Sequence, residues 1–85
     1  MASYRLLIKP SAVKELEALP AQDRRRLVTR LKRLSTDPRP AGSERLSASD
    51  LYRIRQGNYR VLYSMDDRER IVLVIKIGHR RNVYR

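Results

Sequence analysis

The last ten residues, from Lys76 to Arg85, read Lys-Ile-Gly-His-Arg-Arg-Asn-Val-Tyr-Arg and gather side chains suited to phosphate chemistry. Arg80 and Arg81 are planar cations whose forked donors match phosphate oxygens. His79 is a residue type that moves protons near neutral pH. Tyr84 is a phenol, a poor base at neutral pH unless nearby cations favour its phenolate. Together they make a kit for holding an RNA strand and breaking its phosphodiester bond. Each has a plainer reading too: a histidine that hydrogen-bonds the tail, a tyrosine that packs or stacks, arginines that are simply solvated.

The rest of the chain carries the same charge. Twenty Lys plus Arg stand against nine Asp plus Glu, a formal net charge of +11 on 85 residues, and arginine far outnumbers lysine. Such a balance points to a polyanion, either nucleic acid or an acidic protein segment. Cysteine is absent and histidine occurs once, so neither a disulfide framework nor a multi-histidine metal site is expected. No metal and no cofactor are read from the sequence. No apolar run approaches the length of about 20 residues that spans a bilayer, so a cytoplasmic protein is the expectation.

Residues 1–85 are expected to form one domain. Tyr4–Lys9 reads as a strand that Pro10 ends, with Ser11 as the N-cap of a helix running to about Leu19. Ala12, Leu16 and Leu19 mark that helix's buried face. Pro20 breaks it, and a second helix follows from about Ala21 to Ser35, with Leu27, Leu31 and Leu34 as its apolar stripe. Its other faces carry Arg24, Arg25, Arg26, Arg30, Lys32 and Arg33. These read as an RNA-facing surface, a docking face for a protein partner or an ordinary solvated surface. Asp37–Ser43 is a loop. Leu51–Arg55, Tyr59–Met65 and Ile71–Ile77 read as strands. The expected class is α+β: a β-α-α-β-β-β domain with two helices packed on an antiparallel sheet.

Strand parity then assigns faces. A two-residue turn at Gly57-Asn58 sets Arg55 opposite Arg60 and Arg53 opposite Leu62. Arg53, Arg55 and Arg60 share one face, while Tyr52, Ile54, Val61 and Tyr63 share the core face. A three-residue turn at Asp67–Glu69 would place Leu73 opposite Tyr63, Ile75 opposite Val61 and Lys76 opposite Arg60. Lys76 then joins the basic face, and the tail, leaving the same sheet, is expected to bring His79, Arg80, Arg81 and Tyr84 to it. Like charges opposed in a sheet repel, so the cluster suggests an anion, although exposed arginines are often only solvated.

The segment Leu51–Tyr63, followed by Val74–Tyr84, resembles the RelE toxins of the RelE/ParE superfamily, the toxic halves of type II toxin–antitoxin pairs. The likeness extends to length, charge and element order. It implies a toxin that enters the ribosomal A site and cuts mRNA without metal, the ribose 2′-hydroxyl attacking the adjacent phosphate. It also implies a RelB-like antitoxin as partner. Carried across, Arg60 matches the arginine that stabilises transition-state charge. Arg80 matches a phosphate and leaving-group contact, and Tyr84 a stacking residue implicated as general base. Arg53 and Arg55 match substrate-holding positions that are often lysine. Arginine hardly deprotonates, which at these two positions leaves charge stabilisation rather than proton transfer. His79 stands at a variable position and could act as general acid or base; Lys76 and Arg81 complete the expected substrate contacts. The rival within the superfamily is a ParE-like toxin, which shares the fold but inhibits DNA gyrase and cuts no RNA.

Overall fold

The computed structural model describes residues 3–46 and 50–79. Its elements follow the order β1 (Arg5–Ile8), α1 (Pro10–Glu17), α2 (Ala21–Arg33), β2 (Glu44–Arg45), β3 (Leu51–Gln56), β4 (Tyr59–Asp66) and β5 (Ile71–His79). The α+β class is as expected. One pairing differs: the sheet runs β1-β5-β4-β3-β2 and is mixed, because β1 lies parallel to β5. A parallel neighbour needs a long crossover, and here the helices and three strands separate β1 from β5. The short edge strand β2 was not anticipated.

Pro10 begins α1 rather than closing β1, with Lys9 at the N-cap. Proline suits the first helical turn, where its missing N–H would have had no helical partner. Pro20 plays the N-cap of α2. Asp23 sits in the first turn of α2 and Arg30, Lys32 and Arg33 in the last, signs that complement the helix dipole.

The two helices cover one face of the sheet. Leu27, Leu31 and Leu34 pack with Ile54, Val61 and Val74 in a core where each is almost wholly buried. Tyr63 is fully buried among them, its hydroxyl donating to the Pro38 carbonyl at 2.7 Å. Its ring stacks on Tyr52 with centroids 5.8 Å apart. Arg39 links the loop after α2 to this end of the sheet, donating to the Tyr52 hydroxyl at 3.2 Å and to Asp67 at 2.8 Å.

The β3–β4 hairpin has the expected register, with Gln56 opposite Tyr59 and Arg55 opposite Arg60. Gly57 takes φ +60° at the first turn position, a conformation that favours glycine. The β4–β5 hairpin corrects the expectation. Its turn has four residues, with Asp66 opposite Ile71, and the Asp66 carboxylate accepts the N–H groups of Arg68 and Glu69, each at 3.0 Å. Val72 and Val74, not Leu73 and Ile75, therefore face the core. A bulge then intervenes: Val74 lies opposite Tyr63 but Lys76 lies opposite Leu62, leaving Ile75 as the extra residue. That insertion flips the parity of β5. Ile77 returns to the core and Lys76 reaches the open face, opposite Leu62 instead of Arg60.

Candidate nucleic-acid interface

The side of the sheet away from the helices carries its side chains in cross-strand rows. One row runs Glu44, Arg53, Leu62, Lys76 across β2, β3, β4 and β5. The next runs Arg55, Arg60, Gly78. The expected juxtaposition of Arg53, Arg55 and Arg60 is thus present, with Arg55 exposed and the other two partly covered. Gly78 has no side chain, so β5 adds none to the row of paired arginines. Two arginines directly opposite in a sheet repel, and an anion laid across them would relieve that repulsion.

Two carboxylates, neither singled out in the sequence, pair with cations of this face. Glu44 accepts a charge-assisted hydrogen bond from Nη2 of Arg53, whose side chain retains only 12% exposure. The Arg53 hydrogen bond holds the Glu44 carboxyl below its ordinary range, helped by the charges of Arg53, Arg55 and Arg60. Cross-strand register sets Glu44 beside Arg53 at the end of one row, with Arg55 and Arg60 in the next. A carboxylate so stabilised is a weak base, and its clearer role is to hold Arg53 in place.

The second carboxylate is Glu15 on α1. It accepts the Ile77 backbone N–H through Oε1 at 2.9 Å and pairs through Oε2 with Nζ of Lys76 at 3.3 Å. Lys76 is on the basic face by parity, but its ammonium is drawn to the sheet edge. Neither acid announces itself in the sequence: Glu15 and Lys76 are 61 positions apart, and the strand that presents Glu44 has only two residues.

His79 is not beside the arginines. β5 extends to His79, past the expected end at Ile77, so the residue still obeys strand alternation and shares the helix-covered face with Ile77. It lies opposite Tyr59, their rings meeting edge to face at 5.9 Å. The Tyr59 hydroxyl in turn donates to Oδ2 of Asp23 on α2 at 3.4 Å. Burial, reinforced by Asp23, raises the Tyr59 phenol above its usual range. The expectation that His79 joins the basic cluster is therefore corrected. Arg80, Arg81 and Tyr84 lie outside the described residues.

On the opposite side of the molecule, α2 keeps Arg25, Arg26, Lys32 and Arg33 exposed. No helix among the described residues is long and apolar enough to cross a membrane.

Comparison with known proteins agrees with this architecture. Residues 6–84 match a family described as the ParE toxin of the type II toxin–antitoxin system parDE. The chain is 30% identical to a Methanocaldococcus jannaschii protein described as "Putative toxin RelE1", over 96% of each protein. It superposes on the toxin of a RelE–RelB complex from Pyrococcus horikoshii with a TM-score of 0.81 and 31% identity, covering 98% of this chain and 100% of that one. The toxin of the Escherichia coli RelBE complex gives a TM-score of 0.79 and 28% identity, covering 89% and 95%. By family match, by identity over nearly its whole length and by fold, the chain belongs to the RelE/ParE superfamily of type II toxins, and it is a RelE-family member.

Proposed function

We propose that this chain is an mRNA endonuclease toxin that acts at the ribosome in the cytoplasm and is restrained by a RelB-like antitoxin. The observation that carries the reading is the open sheet face, where Arg55 and Arg60 oppose each other and Arg53 lies in the adjoining row. That surface can receive an RNA backbone. The relatives support the reading, being RelE toxins, two of them seen with RelB antitoxins.

In the proposed reaction the ribose 2′-hydroxyl loses its proton and attacks the adjacent phosphorus. The bond to the 5′-oxygen breaks, and that oxygen takes up a proton from water, leaving a 2′,3′-cyclic phosphate and a free 5′-hydroxyl. Arg60 meets the charge that develops on the phosphoryl oxygens, an effect strongest where donors are already in place. Arg53, held by Glu44, and exposed Arg55 fix the strand. The sequence continues directly from His79 at the end of the sheet that carries the Arg55–Arg60 row. Arg80 then contacts the phosphate or leaving group, Arg81 the strand, and Tyr84 takes the proton. No metal is assigned a part. His79, on the other face, is left to hold β5 against Tyr59.

The family match is described by a ParE name, which keeps one alternative in view: a gyrase inhibitor without nuclease activity. The purified chain should be added separately to a reconstituted translation reaction and to a gyrase supercoiling reaction. The RelE reading expects mRNA truncation in the first and normal supercoiling in the second. Intact mRNA with blocked supercoiling would establish the alternative.

A further inference from the structure

Glu15 occupies a place that the strand pattern leaves open. β1 ends at Ile8, opposite Val74, and the last link to it is the Lys9 N–H donating to the Val74 carbonyl at 3.0 Å. Beyond Val74 no strand among the described residues lies beside the outer edge of β5, and α1 starts there at Pro10. Glu15, on that helix, supplies the acceptor for Ile77 N–H that a longer β1 would have supplied. The same carboxylate then takes Lys76 with its other oxygen. The Ile77 hydrogen bond holds Glu15 beside Lys76.

We infer that Glu15 is an internal counter-ion that withholds the charge of Lys76 from the RNA-binding face and so sets that face's affinity. The inference rests on the reading of the open face as an RNA surface. A phosphate brought within reach of Lys76 is also brought near a fixed carboxylate, so attraction and repulsion offset. The pair presents no net charge, and the bound strand gains no phosphate neutralisation from Lys76. Both partners remain partly exposed, 39% for Lys76 and 32% for Glu15. Such pairs contribute little to folding, so this one can be altered without loss of the structure. Glu15→Gln keeps an oxygen for the Ile77 N–H and releases the ammonium.

The test is the salt dependence of binding to a short 2′-O-methylated single-stranded RNA, which lacks the attacking hydroxyl. Freeing Lys76 should steepen the slope of log K against log salt by about 0.7, the increment for one further phosphate contact on a single strand. Glu15→Gln should then bind more tightly than wild type. Its advantage should be about 2.6-fold larger at 50 mM than at 200 mM salt by the same relation. Combining Glu15→Gln with Lys76→Met should return the wild-type slope. Glu17→Gln makes the same charge change on the same helix and should leave the slope alone. A Glu15→Gln slope equal to that of wild type overturns the inference, as does weaker binding, which would make Glu15 an aid to Lys76 instead of its restraint. The wild-type protein supplies an independent readout: its Lys76 side-chain NMR signals should barely move on RNA addition, and shifts as large as those of Arg55 overturn the inference. If Arg55→Ala leaves RNA binding unchanged, the open face itself is misassigned, a result separable from anything seen at Glu15.

Discussion

Arg55 faces Arg60 across two hydrogen-bonded strands, an arrangement that costs the fold and that the proposed function assigns to binding. Stability and activity should therefore part company here. Arg55→Ala is expected to leave the unfolding free energy within about 0.5 kcal/mol of wild type, as for other exposed sites, or to raise it slightly. Arg60→Ala should lower single-turnover cleavage by roughly 10²–10³-fold, the usual cost of losing a donor to transition-state charge. Urea unfolding and cleavage assays on the same preparations check both statements. Tyr63 makes the opposite kind of contribution. Burial is the main cause that pushes its phenol up to about 12 from an ordinary 10. The folded state then holds this proton more tightly than the unfolded chain. Its stabilising effect is complete below about pH 10 and is lost as the pH rises through about 12. Two pKa units correspond to about 3 kcal/mol. The wild type should lose stability over that alkaline window, and Tyr63→Phe, though weakened by losing the Pro38 hydrogen bond, should lose less. Unfolding curves across the range would show it.

Among the elements, β5 decides how the site is built. Its bulge at Ile75 lets the strand bury Val72 and Val74, then Ile77, while turning Lys76 to the open face. Val74→Ala should cost about 2 kcal/mol, two methyl groups' worth of burial plus a small cavity. Leu73→Ala, on the open face, should cost less than about 1 kcal/mol. The reverse order in urea midpoints would contradict this register. The same strand shows what a sequence can and cannot disclose. The β3–β4 register was legible because Gly57-Asn58 is local turn chemistry that admits few loop lengths. The helices were legible because leucine spacing is local too. The bulge was not, since an extra residue in an all-apolar run such as Ile71–Ile75 leaves no mark in the pattern. The parallel pairing of β1 was hidden for a related reason: it joins the two ends of the chain and is decided by packing. Glu15 and Glu44 went unnoticed because their partners are brought to them only by that packing. His79 was misplaced because β5 outlasts its apolar run, and two further residues keep the alternation of the sheet.

At the scale of the whole molecule, the chain carries a net charge of +11, and two opposite surfaces each present a group of its cations. One is the open sheet face with Arg53, Arg55 and Arg60; the other is the outer face of α2 with Arg25, Arg26, Lys32 and Arg33. The proposed activity assigns the chemistry to the first. Expression of the wild-type chain should arrest growth, and Arg60→Ala should restore it while the protein stays folded. The most direct test of the central claim is to map, at nucleotide resolution, the new 5′-hydroxyl ends on ribosome-bound mRNA after brief expression of the chain. The account predicts ends that fall within the codons of translated frames, absent from untranslated regions and from cells expressing Arg60→Ala. Intact mRNA on the arrested ribosomes, or ends that appear equally in the Arg60→Ala strain, would contradict it.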